Sequence, residues 1–63
     1  KFRRSIYVAK DIKAGEKFTK ENIRVIRPGY GLEPKYFERI IGLTAKQDLK
    51  AGTPLSFDLL FKE

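Results

Sequence analysis

The sequence has no cysteine, so no disulfide can staple it, and no histidine, so a Cys/His zinc site is not expected. The same two absences remove Ser–His and Cys–His nucleophilic chemistry. Long apolar runs are missing too. Stretches such as Ile6-Tyr7-Val8-Ala9 fall far short of the roughly 20 residues a membrane helix needs, and nothing has the look of a signal peptide. No membrane partner is therefore expected. The lack of cysteine fits a reducing compartment, and a cytoplasmic location is the expectation. The chain contains no methionine and begins with Lys1, which predicts a segment cut from a larger protein.

What remains is one domain's worth of chain, residues 1–63. A domain this small buries only about 60% of the surface its unfolded chain exposes, so tight turns, an apolar core or a larger partner must supply its stability. Fourteen Lys and Arg against eight Asp and Glu give a net charge of +6. That balance favours anionic partners. Lys1, Arg3 and Arg4 make the densest cluster, with Lys10, Lys13, Lys17 and Lys20 dispersed after it. Dispersed cations mainly make a solvated face.

Ser5-Ile6-Tyr7-Val8-Ala9 and Ile23-Arg24-Val25-Ile26 read as strands from their β-branched and aromatic content. Thr19-Lys20-Glu21-Asn22 reads as a Thr-capped single helical turn. Pro28-Gly29 predicts a type II turn, with Pro pre-setting its first central position and Gly its second. Pro34 to Gly42 reads as a short helix with Phe37, Ile40 and Ile41 on one apolar face. Thr44-Ala45-Lys46 predicts a further short strand. Ser56 reads as a second helical cap, and Leu59-Leu60-Phe61 closes the chain as an apolar stretch that packs either on the domain's own core or on a larger partner.

The strongest internal signal is a repeat. Asp11-Ile12-Lys13-Ala14-Gly15 returns as Asp48-Leu49-Lys50-Ala51-Gly52, followed by Phe18 against Leu55, Thr19 against Ser56, Glu21 against Asp58 and Ile23 against Leu60. Upstream, Ala9-Lys10 is matched to Ala45-Lys46 if Gln47 is treated as an insertion. In each copy an apolar residue enters the core, glycine reverses the chain, a second apolar residue returns and a hydroxyl caps a turn. Asp11 and Asp48 occupy equivalent turn positions, a structural reason for both. Glu21 and Asp58 fall in the first turns of the two capped segments, where negative charge suits the helix dipole. Two copies are too few for a solenoid but enough for a pseudo-two-fold domain, and short strands with Gly and Pro turns predict a mostly β fold.

The order strand, Asp-Ile-Lys-Ala-Gly-Glu, Thr-x-Glu-Asn-Ile, Arg-Pro-Gly-x-Gly-Leu, helix, Asp-Leu-Lys-Ala-Gly-Thr-Pro-Leu resembles the SAF domain, also called the antifreeze-like domain, at the C-terminus of sialic acid synthases. The resemblance runs from Arg4 to Leu60. SAF domains also occur in flagellar P-ring assembly chaperones, pilus assembly proteins and some sugar-acid dehydratases. Arg27-Pro28-Gly29-Tyr30-Gly31-Leu32 narrows the match to the synthases, and Tyr30 with Pro34-Lys35-Tyr36 looks like the pseudaminic acid synthase branch. The resemblance implies a β-clip fold, with short strands, one-turn helices and internal pseudo-two-fold symmetry. It implies a parent enzyme that condenses phosphoenolpyruvate with an N-acetylated amino sugar to give a nine-carbon sialic-type acid and phosphate. It places the divalent metal in a preceding catalytic barrel and no cofactor in this domain. The domain would cap the active site of the neighbouring subunit in a domain-swapped homodimer, with no catalytic residue of its own.

The resemblance assigns sugar binding to Arg27, whose guanidinium offers five donors in a rigid fork. The residue before a proline is pushed toward extended backbone, which aims Arg27 out of its strand. The alternative is a surface Arg paired with a carboxylate. Tyr30 either lines the sugar pocket or covers the domain's own core. Pro28, Gly29 and Gly31 shape the loop, and Gly29-Tyr30-Gly31 lacks the fingerprint of a phosphate-binding loop. Two rival functions are weaker. An ice-binding face would be flat and largely apolar, whereas the corresponding stretch carries Lys10, Asp11, Glu16, Lys17, Lys20 and Glu21. Nucleic-acid binding would want aromatics between the cations, but Phe2, Tyr7 and Phe18 read as strand or core positions.

Overall fold

Ser5–Val8 forms the first strand, β1, and all four of its residues are buried. Ile23–Ile26 forms β2, whose outward residues Arg24 and Ile26 are exposed. The two run antiparallel with Ser5 opposite Ile26 and Val8 opposite Ile23. The computed structural model describes residues 3–61. Lys1 and Phe2 lie outside that range, as does the side chain of Phe61. A 3₁₀ turn over Pro34–Tyr36 runs into a single α-helical turn, α1, at Phe37–Ile40. Thr44–Ala45 (β3) pairs antiparallel with Leu60–Phe61 (β4), and a second 3₁₀ turn at Phe57–Leu59 leads into β4.

The two sheets are interlocked by the repeat. Ile12 and Leu49, the equivalent apolar residues of the two copies, face each other and exchange backbone hydrogen bonds of 2.8 and 2.7 Å. Around them the copies trade identical interactions. Asp48 Oδ1 accepts the Ala14 N–H at 2.8 Å, and Asp11 Oδ1 accepts the Ala51 N–H at 2.9 Å. Gly15 N–H reaches the Ala45 carbonyl as Gly52 N–H reaches that of Val8. Each aspartate thus holds the other copy's turn, not its own. Gly15 and Gly52 take φ of 88° and 93°, a region that side chains with a Cβ seldom enter.

This exchange corrects the repeat's upstream alignment. Val8 is equivalent to Ala45 and Ala9 to Lys46, so Gln47 is no insertion and matches Lys10. Ala9 N–H donates to Asn22 O just as Lys46 N–H donates to Leu59 O. The shared Ala-Lys letters fall one residue away from the true register, which the backbone pairing sets.

The helical caps also differ from expectation. Thr19 Oγ1 accepts the Glu21 and Asn22 N–H groups, and Asn22 Oδ1 accepts the Thr19 N–H at 2.8 Å. This is a reciprocal cap on a turn rather than on a helix. Ser56 makes no side-chain capping bond. The residue equivalent to Asn22 is Leu59, which has no oxygen to return. Neither segment is long enough to carry a useful dipole for Glu21 or Asp58.

One core lies between the sheets. Ile6, Val8, Ile12, Phe18, Ile23, Ile40, Ala45, Leu49, Leu55 and Leu60 are buried together, with Phe37, Ile41 and Leu59 packed against them. Leu59 and Leu60 therefore pack on the domain's own core. The copies contribute in equivalent pairs, such as Phe18 with Leu55 and Ile23 with Leu60. If the swapped aspartates close this core, Asp48→Ala should cost about 1–2 kcal/mol in urea unfolding. Asp11→Ala should cost about the same, since its bond is equivalent. A loss confined to one of the two variants would contradict the symmetry.

Candidate functional site

β2 delivers Arg27 to the end of the β1–β2 sheet, where the chain turns into the loop Pro28–Leu32. One buried hydroxyl organises that loop. Ser5, 1% exposed, donates from Oγ to the Pro28 carbonyl at 2.9 Å and accepts the Gly31 N–H at 2.9 Å. The loop's far end is pinned by backbone. Leu32 N–H donates to Leu55 O, and Ile6 N–H donates to Leu32 O, both at 2.9 Å. Gly31 lies so close to β1 that a Cβ there would overlap the Ile6 carbonyl oxygen. A Cβ on Gly29 would lie 3.0 Å from the Arg3 Cβ and 3.2 Å from its carbonyl oxygen, a tight approach.

The loop is not the type II turn expected of Pro-Gly. The Arg27–Pro28 peptide bond is cis, and Gly29 does not take the positive φ that a type II turn requires. Contacts with Ser5 and Arg3, remote in sequence, decide the conformation over the local preference.

Arg27 is exposed and lines an open groove of ≈480 Å³ with Arg4, Val25 and Ile26. Among the described residues no carboxylate pairs with it; the ion pairs are Arg3–Glu33 and Lys35–Glu33, each at 3.5 Å. Tyr30 is 73% exposed at the loop's tip, so it does not cover the domain's core. Nearby, Tyr36 meets Phe57 edge to face at 5.1 Å, and Lys35 lies 5.4 Å from the Tyr36 ring centre.

Other chemistry is sparse. Asp11, Asp48 and Glu16 spend carboxylate oxygens on backbone N–H groups. Among the described residues no group of three or more acidic, Cys or His side chains is placed to hold a metal ion. Among them, too, no helix is long and apolar enough to cross a membrane. Lys10, Asp11, Glu16, Lys17, Lys20 and Glu21 are all exposed, leaving a hydrated, charged surface where an ice-binding face would be flat and apolar. Ser5 had no signature in the sequence, because a serine inside a strand reads only as a weak strand residue.

The interlocked β-clip with its pinned loop defines the class: a model of the SAF domain family matches residues 3–60, and the chain belongs to that family. Pseudaminic and N,N'-diacetyllegionaminic acid synthases are among its relatives. Pseudaminic acid synthase from Helicobacter pylori is 51% identical over 57 residues, 90% of this chain and 17% of the relative. N,N'-diacetyllegionaminic acid synthase from Legionella pneumophila is 36% identical over 56 residues, 89% of this chain and 16% of the relative. The crystal structure of spore coat polysaccharide biosynthesis protein SpsE from Bacillus subtilis superposes with a TM-score of 0.86 at 36% identity, over 98% of this chain and 19% of that one. The chain thus spans about a sixth of the length of the curated relatives it matches.

Removing the Ser5 hydroxyl leaves the Gly31 N–H without its acceptor. Ser5→Ala should cost about 1–3 kcal/mol in chemical unfolding, and amide exchange at Gly31 should quicken while that of Ile12 and Leu49 does not. Uniform acceleration across the domain would show that the hydroxyl serves the core rather than the loop.

Proposed function

We propose that this domain is the non-catalytic cap of a pseudaminic acid synthase-type enzyme, presenting Arg27 to the amino-sugar site of the neighbouring subunit in a cytoplasmic homodimer. The 51% identity to a pseudaminic acid synthase across 90% of the chain carries the reading. The parent would join phosphoenolpyruvate to an N-acetylated amino sugar, forming a nine-carbon acid and phosphate, with metal-dependent chemistry confined to its barrel.

The local geometry suits the task. An exposed guanidinium without a carboxylate partner among the described residues has its donors available for carbonyl and hydroxyl oxygens of a sugar. Its anchor is rigid, because Ser5 holds the residue that follows it and Gly31 packs against β1. Tyr30, 73% exposed on the same loop, would be a second contact to the sugar. Backbone held this firmly lets a long side chain meet its ligand with less ordering cost.

In the full-length enzyme, Arg27→Ala should raise the KM for the amino sugar about tenfold or more, the worth of one hydrogen bond from a charged donor. The melting temperature should move by no more than about 2 °C, since Arg27 packs against nothing in the core. Unchanged sugar kinetics in a folded variant would overturn the assignment.

A further inference from the structure

The β1–β2 register sets Ser5 opposite Ile26. Arg4 and Arg27 directly follow this last pair at the end of the sheet, and both line one groove with Val25 and Ile26. Like charges placed directly across a strand pair repel and cost stability. Among the described residues neither guanidinium has a carboxylate partner to offset such a cost. The neighbouring cations are balanced differently. Arg3 and Lys35 share Glu33, so the second cationic groove, lined by Lys35, Tyr36 and Arg39, already carries a counter-charge at its rim.

We propose that Arg4 and Arg27 together form an oxyanion-binding cleft that takes a small organic acid or phosphate ester. Two arginines lining one groove offer guanidinium donors suited to the oxygens of a carboxylate or phosphate, which a single neutral hydroxyl would not require. Val25 and Ile26, which line the same groove, add apolar surface for a short carbon skeleton. Arg4 is then a second ligand-contacting residue, and the domain recognises charge as well as sugar hydroxyls. The cleft is built wholly from this chain, so its occupancy is independent of whether Arg27 also meets an amino sugar.

Nitrogen-15 NMR titration of the 63-residue chain with inorganic phosphate, and separately with acetate, tests this. Saturable shifts centred on Arg4, Val25, Ile26 and Arg27 are expected with one anion or both, and the tighter of the two identifies the group preferred. Arg4→Gln should weaken that binding about tenfold while leaving the rest of the spectrum in place. Arg3→Gln, which removes a nearby cation of the same type, should leave it within about twofold if the cleft and not general basicity is responsible. Linear shifts spread over the surface lysines, or equal weakening by Arg3→Gln and Arg4→Gln, would overturn the cleft.

Discussion

The exchange of turns between the two copies is the constraint on which everything else rests. A chain this short, without a cysteine to form a disulfide, has little margin: about 0.05–0.15 kcal/mol per residue is typical of folded domains. Hydrogen bonds between Ile12 and Leu49, and aspartates that each hold the opposite turn, make neither half complete without the other. The core then closes from both sides at once, with equivalent residues of the two copies packed together.

The loop carrying Arg27 lies between the copies and is free of that symmetry. It takes its conformation from β1 instead, through the Ser5 hydroxyl and the close approach of Gly31 to Ile6. Rigid scaffold and exposed functional loop are thereby joined at one buried oxygen. This arrangement suits a cap, whose reaching side chain must be placed by a body that does not itself take part in chemistry.

Much of this was legible in the sequence because turn chemistry is local. Asp-x-Lys-Ala-Gly announces itself twice, and the strands at Ser5–Val8 and Ile23–Ile26 follow from their residue types. What the letters hid was long-range. The Ala-Lys match drew the alignment one residue out of register, since backbone pairing leaves no mark on side-chain identity. Pro-Gly promised a type II turn that Ser5 and Arg3 override from more than twenty residues away. Ser56 looked like a cap as good as Thr19, but Leu59 lacks the oxygen with which Asn22 returns the bond. The motif singles out Arg27 in the sequence, whereas Arg4 joins it in one groove only in the structure.

In the proposed function this domain serves a barrel other than its own. Mixed dimers test it most directly. One full-length subunit would carry Arg27→Ala with an intact barrel, and the other an intact cap domain with an inactivated barrel. Each homodimer should be impaired at low sugar concentration, and co-assembly should restore activity, because the intact cap then meets the intact barrel across the dimer. Activity that stays at the level of the separate homodimers would contradict the claim.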